Sequence, residues 1–104
     1  MAKILLFYIT NPSKEHAERL SNELVRGRLV ACTNIFPINS FYEWKGELGK
    51  GDEYVLIAKT LPGKEGVVRN EIERLHEDET PCVISWEVSV NKKYFEWVKG
   101  EVSD

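Results

Sequence analysis

His76-Glu77-Asp78-Glu79 sets an imidazole beside three carboxylates. Imidazole suits borderline divalent metals, and carboxylate oxygens suit harder ones. This segment is therefore a candidate cation site, and Cys32 is the thiol that could join it. Each residue also has a purely structural reading. His76 follows an amphipathic helix, where a protonated imidazole gains from the helix dipole. A run of acids is commonly a solvated turn. Free cysteine is among the most buried residue types, so Cys32 and Cys82 also read as small core residues. The two cysteines stand far apart and form no C-x-x-C pair, so the spacing spells out no zinc framework. His16 reads as a surface residue on the polar face of the first helix.

A second candidate set comprises Tyr42, Trp44, Glu53 and Lys59. Lys59 lies in an apolar strand, where a charge is seldom buried unpaired. An ion pair between Glu53 and Lys59 across a subunit boundary would answer that need. Tyr42, Trp44, Tyr94 and Trp97 could line a ligand pocket or simply supply packing area. No nucleophile elbow, H-E-x-x-H or phosphate-binding glycine loop is present. A nucleophilic cysteine needs electropositive surroundings, and none adjoins Cys32 in sequence. The chain is therefore expected to have no enzymatic activity and no organic cofactor.

The elements that must position these residues follow from periodicity. Ile4 to Ile9 is a continuous apolar run, as in a strand buried on both faces. Asn11-Pro12 reads as a helix N-cap followed by proline at the first helical position. Ala17, Leu20, Leu24 and Val25 then share one helical face, and Gly27 ends the helix. Leu29 to Trp44 is a long aromatic strand with Pro37 inside it, which marks a sheet edge. Gly46, Gly49, Gly51 and Asp52 read as a turn before the strand Glu53 to Lys59. Val68, Ile72 and Leu75 mark a second helix. Cys82 to Val90 alternates as a strand, and Asn91 caps a short helix carrying Tyr94, Phe95, Trp97 and Val98.

The order is βαββαβ plus a C-terminal helix. It predicts an α+β, ferredoxin-like sandwich with strands one and three central and two crossover helices on one sheet face. The aromatic edge strand and the second apolar face both call for a covering partner, and so point to an oligomer.

With 104 residues the chain is one domain, spanning 1–104. Its 42 % hydrophobic and 30 % charged residues fit a folded protein. A net charge of −3 gives no footprint for nucleic acid. No apolar run reaches membrane-span length. Two cysteines without a secretory signal point to the cytoplasm.

Many short segments in order resemble the CutA family of divalent-cation tolerance proteins. They are Thr10-Asn11-Pro12-Ser13 with Ala17, Arg28-Leu29-Val30-Ala31-Cys32-Thr33-Asn34, Pro37, Ser40, Tyr42, Trp44-Lys45-Gly46, Glu53, Lys59-Thr60, His76, Pro81, and Tyr94 with Trp97. The resemblance implies a ferredoxin-like subunit in a tight homotrimer and a link to tolerance of copper and other divalent metals. It also implies similarity to PII signalling trimers, which read small ligands between subunits. The chain departs from the family where His-Pro-Tyr-Glu usually stands; here the stretch is His76-Glu77-Asp78-Glu79. Ile9 and Leu75 occupy positions where some copper-binding members carry cysteine and histidine. Of the family's ligands, Cys32 and His76 carry over. Glu77, Asp78 and Glu79 would add oxygens.

The expected function is divalent-metal binding, copper first, in metal homeostasis. The alternatives are a small-ligand module at an inter-subunit cleft near Tyr42, Trp44, Glu53 and Lys59, and a structural trimer with an indirect metal phenotype.

Overall fold

The computed structural model describes residues 2–102, apart from the side chain of Lys50. The chain runs β1 (Ala2–Asn11), α1 (Lys14–Arg26), β2 (Cys32–Trp44), β3 (Glu47–Thr60), a 3-10 turn (Pro62–Lys64), α2 (Glu65–Leu75), β4 (Val83–Val90) and α3 (Lys92–Glu101). The fold is mixed α+β. Its four strands form one antiparallel sheet in the order β2-β3-β1-β4. The two doubly apolar strands are central, as the sequence predicts. Pro37 lies on the edge strand β2, where a missing N–H leaves no gap in the ladder.

One sheet face carries Leu5, Phe7 and Ile9 of β1 with Leu56 and Ala58 of β3. Leu20 and Leu24 of α1 and Val68 and Ile72 of α2 pack against it. Burying side chains of this size contributes about 1.5–3 kcal/mol each. The other face carries Ile4 and Leu6, and α3 packs there through Val98 with Tyr94 and Phe95, beside Ala31 and Leu61. Away from α3, this face exposes Phe36, Ile84 and Trp86. In β4 the strand alternation is as predicted, yet the residue that packs into the main core is Val83, on the other side.

The β2–β3 pairing outruns the sheet. β1 reaches β3 only as far as Tyr54, whereas β2 and β3 pair on to Trp44 and Glu47. The outer part is a two-stranded ribbon, which explains why Phe41, Tyr42, Trp44 and Leu48 are exposed. Its turn is Lys45-Gly46, with φ of 51° and 85°. Two positive φ values in a two-residue loop match the right-handed twist of the strands. The turn is therefore two residues long. Gly49, Gly51 and Asp52, read as turn residues from sequence, pair with Tyr42, Ser40 and Asn39 inside the ribbon.

Three local expectations change. The N-cap of α1 is Ser13, whose Oγ accepts a 3.0 Å bond from the His16 N–H, rather than Asn11. Gly27 does end α1, but with ordinary φ; Arg28 holds the left-handed conformation and donates to the Gly100 carbonyl. Trp97 is exposed, with its ring 5.5 Å from that of Tyr94.

Candidate functional site

A cleft of about 700 Å³ opens where the end of β1 meets the ribbon. Thr10 and Cys82 lie at the sheet end. Tyr42, Trp44, Glu47, Leu48 and Gly49 come from the ribbon, and Glu53 from β3. Glu77, Asp78, Glu79 and Thr80 come from the loop after α2. The cleft therefore merges the two sets predicted separately. Tyr42, Trp44 and Glu53 of one meet Glu77, Asp78 and Glu79 of the other.

Gly49 sets the position of one wall. A β-carbon there would stand 3.0 Å and 3.1 Å from two atoms of the Tyr42 ring. The missing side chain is what lets Tyr42 lie across β3 beside the cleft.

The remaining predicted residues stand elsewhere. Cys32 pairs with Lys59 across β2 and β3, and Lys59 pairs with Leu6 of β1. Leu6 is four residues from Thr10, so roughly 13 Å of strand separates Cys32 from the cleft end. The Cys32 thiol points its hydrogen at the Thr33 carbonyl, 3.7 Å away. Lys59 is the basic neighbour of Cys32 that the linear sequence concealed. Its Nζ lies 5.6 Å from the Tyr94 ring centroid, six residues along β3 from Glu53. Within one chain Lys59 and Glu53 do not meet.

His76 does not line the cleft either; its side chain is fully buried. Its Nε2 donates to the Thr10 carbonyl at 2.8 Å, and its Nδ1 accepts from the Asp78 N–H at 3.0 Å. A carbonyl can only accept and an amide N–H can only donate, so the tautomer is fixed and neither nitrogen is free for a metal. The residue anchors the acidic loop to the end of β1. Among the described residues no group of three or more His, Cys, Asp or Glu side chains is placed to hold a metal ion. Cys32, His76, Glu77, Asp78 and Glu79 thus do not form one ligand set. Glu77 is paired with Arg19, and Asp78 Oδ2 is 3.9 Å from His76 Nδ1.

His16 is the residue that sequence reasoning misplaced. It is buried, not exposed. Asn11, fully buried, donates through Nδ2 to the carbonyls of Ile9 and Tyr54, both at 3.1 Å. Its Oδ1 is thereby left to accept, 2.8 Å from His16 Nδ1, so His16 carries its hydrogen on Nδ1. His16 Nε2 then accepts the Glu77 N–H at 3.2 Å. Burial, reinforced by the neighbouring His76, pushes the His16 pKa below its ordinary value. A signal was available: His16 stands four and eight residues before Leu20 and Leu24, on their helical face.

Comparison with known proteins follows the same lines. Residues 5–101 match the family described as CutA1 divalent ion tolerance protein. The chain is 39 % identical over 96 residues to the divalent-cation tolerance protein CutA of Archaeoglobus fulgidus, covering 91 % of this chain and 94 % of that one. It is 37 % identical over 100 residues to the CutA of Thermotoga maritima, covering 95 % and 99 %. The solved structure of the Archaeoglobus fulgidus protein, there described as periplasmic, superposes with a TM-score of 0.92 at 37 % identity, over 96 % of this chain and 99 % of that one. The chain belongs to the CutA1 family of divalent ion tolerance proteins.

Proposed function

We propose that the protein is a non-enzymatic cytoplasmic homotrimer that binds divalent cations at the acidic cleft and serves metal homeostasis. One observation carries the reading. Glu47, Glu53, Glu77, Asp78 and Glu79 line a single cleft, and no Lys or Arg stands among its described lining residues. Clustered like charges facing one space raise the local concentration of cations. Among first-row divalent ions Cu(II) binds oxygen and nitrogen donors most tightly, so it is the first probe. The donors in this reading are carboxylates, with Cys82 the one soft group in the lining. His76 holds the loop in place and does not coordinate.

The trimer is supported by two features of the isolated chain. The ribbon would be marginal alone in water. The uncovered sheet face presents Phe36, Ile84 and Trp86. The strand order with α1 and α2 on one face suits a ferredoxin-like sandwich whose second face is closed by neighbours. The two free cysteines suit a reducing compartment.

The test is a calorimetric Cu(II) titration of metal-free protein, with solution mass followed by light scattering. The expected result is saturable binding at a fixed ratio to a trimer, weakened about tenfold in the Glu53→Gln, Glu79→Gln double variant, a change worth about 1.4 kcal/mol. Weak heat that never saturates would overturn the metal reading.

A further inference from the structure

The cleft has properties that a bare metal ion does not use. Its volume of about 700 Å³ lies within the roughly 300–1,000 Å³ typical of small-molecule sites. Its carboxylates are spread along the walls, and no three converge on one point among the described residues. Tyr42 and Trp44 form part of the wall, half exposed in the chain. The Trp44 ring already attracts an ammonium group, with Lys45 Nζ 5.9 Å from its centroid. The carboxylates of Glu47, Glu53 and Glu79 make no hydrogen bond or ion pair among the described residues.

We infer that this cleft binds an organic polycation of the linear polyamine class. Spaced ammonium groups would pair with Glu53 of β3 and Glu79 of the loop after α2, and the alkyl segments and one ammonium would lie against Tyr42 and Trp44. An ammonium over an aromatic face is attracted by the ring's negative face, the more so when desolvated. Carboxylates spread over several elements suit the spaced charges of a polyamine. The inference uses the same cleft as the proposed metal site but a different property of it, the aromatic wall, and the two can fail independently.

The experiment is a calorimetric titration of the assembled full-length protein with spermidine at fixed ionic strength, beside a Cu(II) titration. Saturable spermidine binding is expected. Trp44→Leu should weaken it at least fivefold while leaving Cu(II) affinity within twofold, and Trp44→Phe, which keeps an aromatic face, should retain it. The Glu53→Gln, Glu79→Gln pair should weaken both ligands, and Glu96→Gln, on α3 away from the cleft, should weaken neither. Three results would overturn the inference. They are no saturable spermidine binding, equal affinity in Trp44→Leu, or losses in Glu96→Gln as large as those in the cleft variants. Spermidine binding without Cu(II) binding would sink the metal reading alone.

Discussion

The rings of His16 and His76 stand 4.4 Å apart between centroids, tilted by 56°, with all four ring nitrogens hydrogen-bonded. Two side chains, one on α1 and one just past the end of α2, thereby tie α1, the end of β1 and the first two residues of the acidic loop into one buried network. Neither ring lines the cleft, yet the network holds Thr10, Glu77 and Asp78, which do.

Removing the His76 ring strands the Thr10 carbonyl and the Asp78 N–H. Leaving buried polar groups unpaired costs about 1–3 kcal/mol each. His76→Ala should therefore lower the free energy of unfolding in urea by several kcal/mol at most. It should also loosen the 77–79 loop, read as faster amide exchange at Asp78. Unchanged stability would contradict the anchoring role.

His16 gives the protein a pH dependence with a definite sign. Its folded pKa lies below the ordinary 6.5, because burial disfavours the charged ring. Between the two values the unfolded chain binds more protons. The contribution of His16 is thus fully present above about 6.5 and is lost as pH falls from there toward the folded value. Melting temperatures from pH 8 to 5 should decline in this window, and less steeply in His16→Gln than in the native protein. An equal slope in both would remove His16 as the cause.

Cys32 lies with Lys59, well away from the cleft. Cys32→Ala should leave divalent-cation affinity in calorimetry unchanged within about twofold, a change of roughly 0.4 kcal/mol. A tenfold loss would show that assembly brings Cys32 into a site built from more than one chain.

The Tyr42 ring lies where a side chain at position 49 would stand. Gly49→Val should push the ring aside, altering near-ultraviolet dichroism and costing about 1–3 kcal/mol of stability, as overpacking does. An unaltered aromatic spectrum would mean that the ring does not depend on this gap.

Trp86 and Ile84 stand on the uncovered face. A charge there would oppose burial by a neighbour, so Trp86→Glu should reduce the mass measured by light scattering. A trimer that survives this change would place the interface elsewhere.

The central strands, the amphipathic helices and the edge position of Pro37 were legible in the sequence. Each follows from a short-range pattern: continuous apolar runs, a helical repeat, and a residue without an N–H. So were Tyr42, Trp44, Glu53, Glu77, Asp78 and Glu79 as site candidates, although not that they share one cleft. Their meeting depends on the β2–β3 register and on the path of the loop after α2, which are long-range outcomes of packing.

The chain alone determined which residues carry charge, apolar bulk and ring nitrogens, and which local elements they form. Tertiary structure decided what those groups face. It turned His76 from a candidate ligand into an anchor by giving both nitrogens backbone partners. It buried His16 by docking α1 beside the loop, and it placed Lys59 against Cys32 through strand pairing. A side chain's chemistry is local, but its free valences depend on neighbours distant in sequence, and only the folded chain brings them together.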